Sequence, residues 1–264
     1  MQFEFGFLLG PADGRYLVRA EPDGPSQAVL VLTTLGAPKR RRLAGRRAQA
    51  VEHAEPEPVP TARATVVCPN PFASREAATA WLAAQREDEE AAITELQHAI
   101  GVVNQALRAQ RAATADPYAA DVSVERSLVT RVGYGHGDVV AEGRFGEAFE
   151  LPRAARRRVK RSMEAPEERF AALLGGRERA LVAEELVLRA RSDLDAGRPR
   201  EAALQARVAL EALLAELPGA ALSEWRKPMS EAANAAIKGE PERAGLEQAV
   251  RAMEAALRGH RLRA

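Results

Sequence analysis

Phe3, Phe5 and Phe7 alternate with Gln2, Glu4 and Gly6, the period-two pattern of a strand with one buried face. A turn signal, Pro11-Ala-Asp-Gly14, leads into Arg15-Tyr-Leu-Val-Arg-Ala20. Pro22-Asp-Gly-Pro25 marks a second turn, because Pro presets φ and Gly permits φ > 0. Ala28-Val-Leu-Val-Leu32 is a continuous apolar run, as expected of a strand covered on both faces. These segments predict a three-stranded meander, and Arg63-Ala-Thr-Val-Val-Cys68 predicts a fourth strand. Between the third and fourth runs Lys39-Arg-Arg-Arg-Leu-Ala-Gly-Arg-Arg47 passes into Glu55-Pro-Glu-Pro-Val-Pro60. Alternating prolines favour an extended, unpacked chain, so a basic, Pro-rich loop is expected over about 38–61.

After Pro69-Asn-Pro71 the period changes. Ser74 is placed to cap a helix N-terminus, and Glu76 suits the dipole of its first turn. Ala78, Trp81 and Leu82 begin an apolar face; Arg86 to Glu90 are all charged, so the helix is exposed or interrupted there. Ile93, Leu96, Ile100, Val103 and Leu107 then fall at alternating spacings of three and four, a heptad seam. It is too short for a dimeric coiled coil, so packing within the chain is expected. Asp116-Pro117 ends this helix. Val124, Leu128 and Val132 share one face of a shorter predicted helix, which Gly133-Tyr-Gly-His-Gly137 ends. The stretch from Asp138 to Pro152 follows neither period.

The last part is helical throughout. A short helix is expected from about Pro166 to Leu174, stopping at Gly175-Gly176. Ala180 to Leu217 reads as two antiparallel helices: Gly197 sits where a left-handed cap belongs, and Pro199 opens the next first turn. Ala203, Ala206, Leu210, Leu213 and Leu217 form the buried stripe of the second helix. A further helix is expected from near Ser230 to Gly239. Another runs from about Pro241 to Arg258, with Arg258, Arg261 and Arg263 at its C-terminal end.

The pattern predicts an α+β fold: a small N-terminal antiparallel β-sheet, then a mainly α-helical region ending in an antiparallel helical bundle. The expected division is a sheet domain over 1–73, a helical connecting region with a Gly-rich turn over 74–152, and the bundle over 153–264.

Composition adds four constraints. Apolar residues are 46% but aromatics only 5%, so the core must be built from Ala, Leu and Val, which suits helices. Lys occurs only at 39, 160, 227 and 238; the Arg and Ala bias points to a GC-rich bacterial genome and lowers the weight of any one Arg run. The net charge of +1 provides no global field for nucleic acid or anionic membranes. Cys68 is the lone cysteine, which fits a reducing cytoplasm. No basic stretch precedes an apolar run at the N-terminus, so no signal peptide is expected, nor is any apolar run of membrane-spanning length.

Leu194-Asp-Ala-Gly197, Glu201-Ala202 and Val208-Ala-Leu-Glu-Ala212 resemble a tetratricopeptide helix pair, and equally the middle hairpin of the HEPN superfamily of helical bundles, many of which are RNases or nucleotide-handling toxins. The likeness covers about forty of the 264 residues. A tetratricopeptide array repeats at about 34 residues, and no second copy of the Gly and Glu-Ala pattern lies at that distance. Catalytic HEPN proteins pair an Arg and a His across a short fixed spacer; Arg251 and His260 are too far apart and Arg258 and His260 too close. No catalytic residue is carried over from either family.

Candidate chemistry is therefore local. Gly133, Gly135, His136, Gly137 and Asp138 form a ligand-turn candidate: close glycines admit a phosphate, and His136 is an acid or base. A dinucleotide fingerprint follows a strand and opens a helix, whereas this run is expected to follow a helix. Two basic clusters, Arg40, Arg41, Arg42, Arg46 and Arg47, and Arg153, Arg156, Arg157, Arg158, Lys160 and Arg161, would neutralise phosphates in a salt-dependent way. No aromatics are interleaved for base stacking. The acidic run Glu87-Asp-Glu-Glu90 points its carboxylates in different directions, and His53, His98 and His260 lack partners at ligand spacing, so neither a metal nor another cofactor is implied. Cys68 is expected to be a buried structural thiol.

Three functions remain. The first is a non-enzymatic interaction or scaffold protein, binding another protein or itself through its helices. The second is nucleic-acid binding through the Arg clusters. The third is a hydrolase or nuclease centred on His136 and Asp138.

Overall fold

The computed structural model describes residues 1–19, 23–36, 59–151, 166–239 and 241–261. The chain divides into two compact units, Met1–Arg158 and Val159–Ala264.

The first unit contains strands β1 (Gln2–Phe5), β2 (Gly14–Arg19), β3 (Ser26–Leu35) and β4 (Thr61–Val67). Helices α1 (Arg75–Glu87) and α2 (Glu89–Thr114) follow, then β5 (Ser127–Tyr134), a short helix α3 (Gly137–Ala141) and β6 (Glu147–Glu150). The strands form one six-stranded sheet in the order β2-β3-β4-β1-β5-β6, and every neighbouring pair is antiparallel. The N-terminal strand is thus central, with β4 and β5 on its two sides.

Directly opposed residues of an antiparallel pair share a face. Phe3 lies opposite Ala64 and Thr130, and Phe5 opposite Ala62 and Ser127. That face meets α2: Phe3, Phe5, Leu30 and Val66 form one buried cluster with Leu96, Ile100, Val103 and Leu107. Four members of the predicted heptad seam therefore pack within the chain, while Ile93, one turn earlier, is exposed. The opposite face carries a polar ladder. Glu4 accepts from Arg63 at 3.1 Å and from Arg131 at 3.1 Å, and Arg131 also reaches Glu150 at 2.9 Å. Burial disfavours the Arg131 charge, but its bonds to Glu150 and Glu4 outweigh that and raise its pKa. The ladder runs across β6, β5, β1 and β4, which fixes their register.

The charged run at 86–90 is interrupted. α1 ends at Glu87, and Asp88 caps α2 by accepting from the backbone N–H of Glu90 at 3.0 Å and Ala91 at 3.1 Å. Ser74 caps α1 through Ala77 N–H at 3.2 Å. Asp88→Ala should cost about 1 kcal/mol, read as a lower urea midpoint by fluorescence of Trp81 on α1.

One expectation is corrected. Val124, Leu128 and Val132 do not form a helix: Val124 lies in a single 3-10 turn, and the other two lie in β5. Residues four apart share a face of a helix, but four is also twice the strand period. Val129, Thr130 and Val132 are β-branched and favour the strand. The unassigned stretch from Asp138 supplies α3 and the edge strand β6.

The second unit contains α4 (Pro166–Leu174), α5 (Val182–Asp195), α6 (Pro199–Glu216), α7 (Arg226–Lys238) and α8 (Arg243–Arg261). The α5–α6 corner is as expected: Gly197 has φ +69° and Pro199 is the first residue of α6. Ala183, Val187, Ala190 and Leu194 of α5 close on Ala203, Ala206, Leu210 and Leu213 of α6, with Met229 of α7 and Leu246, Val250 and Met253 of α8 in the same core. Small residues let α5 and α6 approach closely, which is how a chain poor in aromatics fills its interior.

Candidate functional site

The glycine-rich turn has a structural explanation in the β5–β6 hairpin. Gly133 lies opposite Ala148. A Cβ on Gly133 would sit 2.5 Å from the Ala148 Cβ and 2.5 Å from the Glu147 carbonyl oxygen. A Cβ on Gly135 would sit 2.8 Å from the Gly146 nitrogen. These two positions need glycine for the close approach of two strands. The run follows a strand rather than a helix, which corrects the sequence expectation. It opens α3, but α3 has only five residues. His136 is the N-cap residue of α3 without a side-chain cap bond, and it is exposed. Gly137 starts the helix in open space. Asp138 is 90% exposed and pairs with Arg15 of β2 at 2.9 Å. These residues line neither of the two clefts described below.

Both basic clusters lie outside the described residues: Arg40, Arg41, Arg42, Arg46 and Arg47, and Arg153, Arg156, Arg157, Arg158, Lys160 and Arg161. Cys68 is exposed, not buried, because it sits one residue beyond β4 and before Pro69. Among the described residues, no three His, Cys, Asp or Glu side chains are grouped to hold a metal ion. No described helix is long and apolar enough to cross a membrane.

One cleft, of about 320 Å³, lies in the first unit between the 8–13 loop and β3, with Leu32, Thr33 and Ala62 in its wall. Asp13 closes it by accepting from the backbone and hydroxyl of Thr34 at 2.9 and 2.8 Å. Its lining is mostly apolar.

The second cleft, of about 690 Å³, belongs to the helical unit and is strongly charged. Its foundation is Glu184 in the first turn of α5, whose side chain is 7% exposed. Arg169 of α4 donates Nη2 to both Glu184 carboxylate oxygens at 2.8 and 2.9 Å. Arg261 of α8 donates Nε to the same carboxylate at 2.9 Å and has Nη2 at 2.8 Å. The Leu181 N–H adds a fifth contact at 3.2 Å. Burial acts to raise the Glu184 pKa, but the bonds from Arg169 and Arg261 outweigh it and hold the carboxyl below its ordinary value. The neighbouring N–H groups of Val182 and Ala183 are taken by Glu216, each at 3.0 Å. Glu184 and Glu216 thus take the Leu181, Val182 and Ala183 N–H groups at the start of α5, where carboxylates suit the helix dipole.

The chain matches no protein-family model, no curated protein and no solved structure.

Around the Glu184 centre the cleft is completed by Glu168, Arg177, Glu178, Arg179 and His260, with Ala171, Ala172 and Leu181 between them. Arg169 also lies 3.5 Å from Glu178. Four arginines thus face three glutamates. Sequence reasoning missed this group because its members are far apart: 15 residues separate Arg169 from Glu184, and 77 separate Glu184 from Arg261. A faint signal exists. Glu184 adjoins Ala183 on the apolar stripe that continues through Val187, Ala190 and Leu194, and a carboxylate there requires a cationic partner.

Proposed function

We propose that this chain is a non-enzymatic interaction protein whose helical unit docks another protein or a second copy of itself along α4. The observation that carries this reading is an apolar pair on the outer side of that helix. Phe170 is 63% exposed and Leu174 is 73% exposed. They are four residues apart, so they form one ridge. Isolated exposed apolar residues are ordinary, but a paired large ridge has the pattern used by helix-mediated docking. A similar pair, Leu204 and Val208, lies exposed on α6. The cleft beside α4 supports the same reading, since planar guanidinium forks suit recognition of carboxylate and phosphate groups. A bacterial cytoplasm is the proposed setting, on the lone cysteine and the Arg-rich composition.

Light scattering coupled to size exclusion, with the tagged full chain in extract of its native cells, provides the test. A stoichiometric dimer or heterocomplex is expected. Phe170→Ser with Leu174→Ser should weaken it at least about tenfold, equivalent to about 1.4 kcal/mol, without lowering the melting temperature. A strict monomer that retains nothing, or a double variant that associates unchanged, overturns the reading.

Nucleic-acid binding through the clusters at 39–47 and 153–161 remains a second proposal, supported by sequence and by the cationic bias of the helical cleft. It requires affinity that falls steeply with salt and drops when Arg156, Arg157 and Arg158 become Ala. Absence of binding at low salt removes it.

A further inference from the structure

We propose that the Arg-lined cleft of the helical unit is a binding site for a phosphomonoester; this rests on reading that unit as a docking module. Three features of the cleft carry the proposal. The first is its charge. Arg169 contacts both Glu184 and Glu178, and Arg261 contacts Glu184, but the four arginines of the cleft exceed its three glutamates by one positive charge. Arg177 and Arg179 are exposed at the rim and form no ion pair among the described residues.

The second feature is preorganisation. The buried Glu184 carboxylate fixes both inner guanidinium groups, and the Arg169 and Arg261 side chains remain 24% and 27% exposed. Each guanidinium has five N–H donors in a rigid fork. Glu184 takes Nε and Nη2 of Arg261 and Nη2 of Arg169, whose Nε faces Glu178, so the Nη1 donors of both are left for a ligand. A phosphomonoester carries three terminal acceptor oxygens and up to two charges, which matches several forks converging from different helices better than a carboxylate does.

The third feature is shape. A volume of about 690 Å³ exceeds what bare phosphate needs and falls in the range of about 300–1,000 Å³ typical of small-ligand sites. Ala171, Ala172 and Leu181 provide an aliphatic wall for the organic part. The cations converge on one cleft rather than forming the extended track that a phosphodiester backbone follows. Arg177 and Arg179 are assigned as rim donors that close on the phosphoryl oxygens, and Arg169 and Arg261 as its fixed seat.

Calorimetric titration of the full chain tests this with two matched pairs: glucose 6-phosphate against glucose, and a phosphoserine peptide against its unphosphorylated form. At least one phosphorylated member should bind at least about tenfold tighter than its counterpart, and the tighter pair identifies a small-molecule or a polypeptide source. Arg177→Gln with Arg179→Gln should weaken that binding at least about tenfold while leaving the thermal melt unchanged, because both side chains are exposed. The proposal is overturned if neither phosphorylated probe is preferred, if the double variant binds as the parent does, or if an oligonucleotide without terminal phosphates binds more tightly than both probes. Failure here with association through Phe170 and Leu174 intact removes only the ligand assignment; loss of that association alone removes only the docking reading.

Discussion

Glu184→Ala should destabilise the helical unit by about 3 kcal/mol, because it leaves two guanidinium groups without the carboxylate they share. Full burial of the guanidiniums would make the loss larger, but both Arg169 and Arg261 reach solvent and recover part of their hydration. The Leu181 N–H also loses its acceptor. In a unit of this size the change corresponds to a melting temperature lower by roughly 10–20 °C. Trp225 reports on this unit, and Trp81→Phe removes the other tryptophan, so urea unfolding followed by fluorescence isolates the effect. Glu184→Gln should fall between parent and Ala, since the amide still accepts a bond but carries no charge. A Glu184→Ala chain as stable as the parent would mean the triad holds nothing together.

The same carboxyl sets an acid limit. Its pKa is lowered in the fold from an ordinary value of 4.5, so the unfolded chain binds the proton more readily. The stabilisation is complete above that ordinary value and is lost as pH falls through the lowered one. Urea midpoints of the parent should therefore decline below about pH 4.5 more steeply than those of Glu184→Gln. Parallel declines would contradict the shift.

Gly133→Val should cost about 3 kcal/mol and release β6 from the sheet edge, because its Cβ would collide with a backbone rather than with a yielding side chain. The obstructing atoms are the Glu147 carbonyl oxygen and the Ala148 Cβ, each 2.5 Å away. Detachment of β6 would also remove Phe149 from the Arg86 guanidinium, now 4.8 Å from its ring centre. Hydrogen exchange should show lost protection at Arg131 to Tyr134 and Glu147 to Glu150. His136→Ala, at an exposed position in the same turn, should change stability by less than about 0.5 kcal/mol. A tolerated Gly133→Val would contradict the steric need for glycine at this strand crossing.

These two positions mark what could and could not be read from the chain. The period-two run at Phe3, the continuous apolar run at Ala28 and the turn-bounded segments at Arg15 and Arg63 identify four strands, because each signal is local. Gly197 and Pro199 identify the α5–α6 corner for the same reason. The place of β1 at the centre of the sheet has no local signature: its partners are Thr65 on β4 and Arg131 on β5 for the one residue Gln2. β5 was concealed by the ambiguity of four-residue spacing. The glycines beyond it were visible as an anomaly, but their cause, a neighbouring strand, becomes evident only when β6 is in position. Glu184 is the counterpart in the helical unit. Its helix was legible from the 3.6-residue pattern, whereas its partners come from α4 and α8 and required the tertiary fold.

Site-directed photocrosslinking of the full chain in its native cells tests the docking reading most directly. With a benzophenone side chain in place of Phe170, one discrete adduct is expected, either a dimer of this chain or a single heterologous complex. The same group in place of Arg207, exposed on α6, should give little of that adduct. No adduct from position 170, or equal yields from both positions, would contradict α4 as the docking helix.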